Sequence, residues 1–306
     1  MKRFLFLATV AAALSVGNLL AQEATQQITF CSYNLKNFLR MERSVGGKRT
    51  EGVGKPEAEI AAVVKFITTI KPDILGVCEI GTEEDVKDLQ SRLRAAGIDL
   101  PNFEAARGGD ATRQLGLLSR FPIVARNSQR ELKYVIGEQV FPVQRGFLDA
   151  TVELRKGLEL RCIGVHLKSK REIPEADQKL MRRNEAHLLR KHTEAILKQN
   201  PETKLMLYGD FNEDKAEPSI VEIEGVSGME LSMNRINLKD SRGETWTHYW
   251  EFQDVYSRLD YFFVSRPLQS YVDKRASYIF DPPDFYDGSD HRPLVLKIDL
   301  MKDAPK

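Results

Sequence analysis

Four apolar, β-prone runs in this chain each end on a side chain that can bind a metal or move a proton. The run from Ile28 to Tyr33 leads to Asn34, and that from Asp73 to Cys78 leads to Glu79. The run from Leu160 to Val165 leads to His166, and that from Lys204 to Gly209 leads to Asp210, with Asn212 two residues on. A fifth polar signature, Ser289-Asp290-His291, stands just before the last such run, 294–300. Short runs of this composition read as strands. Polar residues often end single strands, but a set of five describes one polar site built at the rim of a sheet.

The rest of the chain limits what can surround that site. At 306 residues it could hold one large domain or two ordinary ones. No Gly/Pro/Ser linker divides it, and the signatures span nearly all of it, so residues 22–306 are expected to form a single domain. Residues 1–21 read as a secretory signal peptide: Lys2 and Arg3 precede an apolar stretch, and small residues lead to Ala21. That stretch is short for a membrane span. A secreted or periplasmic protein, without a transmembrane segment in the mature chain, is expected. The formal net charge of +1 excludes a bulk polyelectrolyte argument for nucleic acid. Cys31, Cys78 and Cys162 lie inside predicted strands, where buried free thiols are the default.

Strands and helices alternate without a strict βαβ rhythm. Residues 57–70 and 82–96 carry helical spacing, with Thr82 as N-cap and Gly97 beyond the end. Strands are expected at 115–119, 122–126, 147–154 and 158–165, the last two as a hairpin. A long helix over about 175–199 places Leu180, His187, Leu188, Ile196 and Leu197 on a recurring face. Residues 36–56 read as a basic loop, those from Glu213 to about 237 as acidic and irregular, and 244–264 as aromatic-rich strands.

Asn34, Glu79, Asp210, Asn212 and Asp290 offer oxygen donors without thiolates, a set that suits Mg²⁺ or Mn²⁺. His166 and His291 add groups that can donate or accept protons near neutrality. Together they favour metal-assisted attack of water on a phosphoester.

Ser32-Tyr33-Asn34-Leu35, Cys78-Glu79-Ile80, His166-Leu167, Gly209-Asp210-Phe211-Asn212, Arg258-Leu259-Asp260-Tyr261 and Ser289-Asp290-His291 resemble, in order, the motif series of the endonuclease/exonuclease/phosphatase superfamily. That superfamily includes DNase I-like nucleases, abasic endonucleases, bacterial sphingomyelinases and inositol polyphosphate phosphatases. The resemblance implies an α/β fold: a two-sheet sandwich of mixed, mainly antiparallel strands with flanking helices. It implies Glu79 as the main metal ligand, with Asn34 and Asp290 nearby. It implies His291 on the scissile phosphate, oriented by Asp260, with Asp210 and Asn212 positioning the nucleophile and His166 assisting the leaving group. Asp210 and His291 both stay open as the general base.

Substrate choice rests on local charge. Arg145 is a candidate phosphate clamp, and Lys168 sits two residues beyond His166, on the same face if the strand continues. The loop 36–55 and residues 168–192 are locally basic, although Arg182, Arg183 and Arg190 could be the solvated side of a helix. The acidic run from Glu213 to Glu230 would repel a polyanion beside the cleft. Tyr249 and Trp250 could stack on bases or form an apolar lip. An exported nuclease-type phosphodiesterase, acting as a monomer on nucleic acid, is the leading expectation. A phosphodiesterase or phosphatase of lipid headgroups or small metabolites is the alternative, and a non-catalytic binding module on the same scaffold is a third.

Overall fold

The computed structural model describes residues 27–303; the expected signal peptide lies outside them. The chain opens with β1 (Gln27–Phe38), a hairpin of β2 (Met41–Val45) and β3 (Lys48–Val53), α1 (Glu57–Ile70), β4 (Ile74–Ile80) and α2 (Glu83–Ala95). Next come β5 (Asn102–Ala106), β6 (Gln114–Ser119), β7 (Ile123–Arg126), a hairpin of β8 (Lys133–Ile136) and β9 (Gln139–Pro142), β10 (Leu148–Arg155) and β11 (Leu158–His166). α3 (Gln178–Gln199), β12 (Leu205–Asp210), α4 (Pro218–Glu224) and β13 (Met233–Arg235) lead to a further hairpin, β14 (His248–Trp250) and β15 (Val255–Ser257). β16 (Asp260–Ser265), α5 (Arg266–Gln269), β17 (Tyr278–Ile279) and β18 (Leu294–Asp299) complete it.

Two six-stranded sheets result, in the orders β17-β18-β1-β4-β6-β5 and β13-β16-β12-β11-β10-β7. Each has one parallel pair, β1/β4 or β11/β12, among antiparallel neighbours. The inner faces meet in one core, where Phe30, Cys78, Leu117, Cys162, Met206, Tyr208 and Phe262 pack. On the outer faces, Val63, Phe66 and Leu89 of the first two helices cover Tyr33, Leu75 and Val77, while Met181, Leu189 and Ile196 of α3 cover Val165, Leu207 and Phe263. Central strands buried on both faces read as unbroken apolar runs rather than alternating ones. Tyr208 lies between the sheets over Gly76, where an added Cβ would come within 2.1 Å of its ring. All three cysteines are free and buried.

Several expectations about the surroundings need correction. The loop 36–56 contains the β2/β3 hairpin, and the segment after Glu213 contains α4 and β13. On α3, Leu180 is exposed and the buried face is set by Met181, Glu185, Ala186 and Leu189. Arg182, expected either in a basic approach to the substrate or on the solvated side of the helix, is fully buried: Nε donates to Glu213 Oε2 at 2.7 Å and Nη1 to the carbonyl of Lys168 at 3.0 Å. The acidic run is also largely paired, Asp214 with Lys170, Glu222 with His187 and Glu224 with Arg235.

A second buried carboxylate predicts the acid limb of stability. Asp149 takes Arg161 Nε at 2.8 Å, Arg161 Nη2 at 2.6 Å and His192 Nε2 at 2.8 Å. Burial opposes its charge, but the hydrogen bonds from His192 and Arg161 hold its pKa below the ordinary carboxylate value. A carboxylate lowered in this way contributes stability that is present above its unfolded pKa and lost as pH falls through the folded one. Urea unfolding across pH should therefore show the stability gap between wild type and Asp149→Asn closing below about pH 4. A gap independent of pH down to acid would remove Asp149 from that limb.

Candidate active site

His166, Asp210 and Asp260 form one row across the second sheet: His166 pairs with Asp210 in register, and Asp210 with Asp260. Side chains at paired positions share a face. Counting by twos from Cys162, Met206 and Phe262 puts all three on the inner face, at the rim of the sandwich. Asn34 reaches the same rim by the same count from Phe30.

Glu79 breaks that rule. Alternation would send it with Val77 to the helix-covered face. Its φ is instead +62°, and the register against β6 slips at this point. The bulge turns its carboxylate to the rim, where Oε2 accepts the Asn37 N–H at 3.0 Å and Oε1 lies 3.9 Å from His166 Nε2. Lys36, Asn37 and Asn212 also have positive φ, so left-handed non-glycine backbone gathers at this rim. Each such residue costs about 1–3 kcal/mol, which surrounding structure must offset. Gly209, at φ +126°, lets β12 approach β11; a Cβ there would lie 2.0 Å from the Val165 carbonyl oxygen.

Asp210 is the hub. Its Oδ1 accepts the Asn212 N–H at 2.8 Å, and its Oδ2 accepts Asn34 Nδ2 at 3.1 Å and Asn212 Nδ2 at 3.3 Å. His166 Nε2 and His291 Nε2 lie 3.6 and 3.7 Å from that same Oδ2. Burial raises the Asp210 pKa to about 7, with the charge on His291 opposing and that on Asp260 adding. His291 Nδ1 lies 2.8 Å from Asp260 Oδ2, which also accepts Thr247 Oγ1 at 2.7 Å. Burial would lower the His291 pKa, but Asp260 and Asp210 together raise it to about 10. His166 goes the other way: burial, then the cations Arg145, His291 and Arg113, push it well below its usual value. The two imidazoles that flank Asp210 are thus shifted in opposite directions.

Asp210, Asp260 and His291 present candidate ligand atoms within 4.8 Å of one another. The Asp260–His291 contact occupies two of these groups, so they are poorly placed to hold a cation. Glu79 and Asp290 are the accessible carboxylates, with side chains 17% and 29% exposed. Hard oxygen donors with room for water fit a divalent ion that must also take a phosphate oxygen. Cys78, the nearby thiol, is buried with its pKa raised well above normal and points at the Val165 carbonyl. Asn34 is a less direct candidate, because its Oδ1 accepts the Lys36 N–H at 3.1 Å.

The structure brings together Asn34, Glu79, His166, Asp210, Asn212, Asp260 and His291, with Asp290 at the same rim. Arg145 is buried near His166; its Nη2 lies 3.6 Å from Asp110, and its Nε has no hydrogen-bond partner among the described residues. Lys168 is engaged elsewhere, donating to the carbonyls of Ser169 and Arg171 at 3.1 and 2.8 Å. Sequence reasoning missed Arg113, whose Nε donates to Asn37 Oδ1 at 2.8 Å and which shares Asp110 with Arg145. It also missed Thr247 and His248. The His248 ring lies 4.6 Å from that of His291, and burial with the His291 charge lowers its pKa to about 4. No strand-end signal marks these residues, which reach the rim only through tertiary packing.

A truncated Caenorhabditis elegans TDP2 has the same fold at 15% identity and TM-score 0.60, with 89% of this chain and 98% of that one covered. The human Nocturnin catalytic domain with bound sulfate anion aligns at 18% identity and TM-score 0.60, over 89% and 94%. An endonuclease/exonuclease/phosphatase from Bacteroides vulgatus aligns at 15% identity and TM-score 0.60, over 90% and 99%. Among curated proteins no match to the chain is found. Residues 31–291 match the endonuclease/exonuclease/phosphatase family as a sequence, spanning every motif gathered at this rim, and the chain belongs to that family of metal-dependent phosphoester hydrolases.

Proposed function

We propose that this chain is an exported phosphodiesterase of nuclease type, which uses Mg²⁺ or Mn²⁺ to hydrolyse P–O bonds by in-line attack of water. The reading rests above all on Asp210, one buried carboxylate touched by two amides and flanked by two imidazoles. Its raised pKa suits it to take the proton from water near neutrality. His291, kept protonated by Asp260, donates to a phosphoryl oxygen. His166 assists the departing oxygen, and Asn212 and Asn34 orient Asp210. Glu79 and Asp290 would hold the metal with Asn34 beside them; when bound, the ion neutralises charge on the phosphate. Arg145 clamps a substrate phosphate with Arg113 at its side. Lys168 contributes only if its loop rearranges. Export rests on residues 1–21, and residues 22–306 act as one domain and as a monomer.

The test offers mature protein, with Mg²⁺, with Mn²⁺ and with EDTA, a panel of plasmid, single-stranded DNA, RNA, bis-p-nitrophenyl phosphate, p-nitrophenyl phosphate, sphingomyelin and an inositol polyphosphate. Metal-dependent cleavage of nucleic acid is expected, and Glu79→Ala should lose it while keeping its circular dichroism. Hydrolysis confined to lipid or small phosphoesters would move the function to those substrates. Full turnover by Glu79→Ala would remove that residue from the metal site.

A further inference from the structure

The hairpin of β14 and β15 sets large apolar side chains in solvent directly beside the catalytic groups. Trp250 is 48% exposed, Phe252 85%, Val255 42% and Tyr256 52%. Exposed apolar surface concentrated in one place marks a contact site more often than chance. The hairpin is also fixed to the site. The Tyr249 N–H donates to the Asp290 carbonyl at 2.9 Å, the Arg292 N–H donates to the Thr247 carbonyl at 2.7 Å, and His248 bridges to His291. Beneath it, the Arg292 guanidinium lies 3.3 Å from the Trp246 ring centre, and Trp246 packs edge-on against Tyr256. The base of the hairpin therefore adjoins Asp290 and His291, and Trp250 follows two residues beyond His248 on the same strand.

We infer that this hairpin is a stacking platform for an unpaired nucleobase adjoining the scissile phosphate, a reading that rests on the nuclease-type function proposed above. Exposure supports it: Trp250 and Phe252, 6.2 Å apart between ring centres and 30° from parallel, leave much of two neighbouring rings open to solvent. Aromatic faces of this kind bind bases with little regard to sequence. Charge argues against a lipid occupant. Glu251 and Asp254 flank Phe252, and each is pinned at the tip, Glu251 by the Tyr286 hydroxyl at 3.1 Å and Asp254 by the Tyr249 hydroxyl at 3.0 Å. Inserting Phe252 into a bilayer would drag two fixed carboxylates toward hydrocarbon, whereas stacking leaves them in water. The same carboxylates repel a phosphate backbone beyond the tip, which favours a single flipped or terminal base over a paired duplex.

Two readouts test this. Trp246 and Trp250 are the two tryptophans of the chain. In EDTA, a single-stranded oligonucleotide should quench fluorescence in the wild type, and Trp250→Phe should lose that quench. With metal, Trp250→Ala and Phe252→Ala should each raise KM for the oligonucleotide by roughly tenfold. An abasic strand of equal length, already weak, should be unaffected by either change. Equal treatment of the two strands by all variants, or a quench that survives Trp250→Phe, would overturn the platform. A Trp250 signal from phosphatidylcholine vesicles but not from the oligonucleotide would overturn it in favour of a lipid surface. Quenching without cleavage of any nucleic acid would sustain the platform and sink the nuclease reading; cleavage without quenching would do the reverse.

Discussion

His291→Ala is expected to lower kcat by a factor of about 10²–10⁴, the range of a lost acid–base group, while the protein stays folded. The imidazole touches Asp260 on one side and faces Asp210 on the other, and in the proposed mechanism its loss removes the donor to the phosphate. Asp260→Asn should cost nearly as much although it touches no substrate. Its carboxylate holds Nδ1 and balances the imidazolium charge, and an amide can accept from Nδ1 but carries no charge to balance it. The double variant should then be scarcely worse than either single one, because groups acting as a unit are strongly non-additive. Single-turnover rates on a common substrate would settle this. An unchanged kcat in His291→Ala, or fully additive losses in the pair, would remove the two residues from a shared catalytic role.

The largest effect on stability is expected at Arg182, far from the chemistry. It is a full charge at zero exposure, paired with Glu213, itself almost wholly buried. Arg182→Ala strands that carboxylate, and breaking one side of a buried ion pair costs about 3–5 kcal/mol. For a domain of this size that corresponds to a Tm lower by roughly 10 °C. Replacing both partners, Arg182→Met with Glu213→Leu, should recover most of the loss, since apolar pairs of similar volume often match a buried ion pair. Differential scanning calorimetry of the three variants decides the matter. If the single variant melts with the wild type, the carboxylate is not stranded; if the double variant melts as low as the single, packing rather than charge was lost.

These two sites mark the boundary of what the sequence could tell. Around His291 the strand-end residues were legible, although Thr247 and His248 were not, because strand-end position and residue type are local signals. The β-prone runs named the central strands, alternation carried Asn34, His166, Asp210 and Asp260 to one face, and Ser289-Asp290-His291 closed the set. Around Arg182 the sequence misled. Arg182, Arg183 and Arg190 look alike in composition, yet one is buried, one exposed and one tied to the Leu231 carbonyl. Helical periodicity fixes relative angles around α3 but not which angle faces the sheet. That choice fell to Glu213 and the carbonyls of the loop after His166, which the arginine satisfies.

The sequence by itself determined the strand cores, the order of the motifs and the kinds of donor at the rim, since those depend on local composition and period. Tertiary structure alone decided three further matters. It turned Glu79 into the site, because only a bulge against β6 overrides alternation. It placed Arg113 beside Arg145, because the shared Asp110 is distant from neither in space. It set the β14/β15 hairpin beside His291, because the Arg292 N–H bonds the Thr247 carbonyl across a wide gap in sequence. In each case a deciding contact, such as that of Asp110 with Arg145, joins residues far apart in sequence that no local pattern relates.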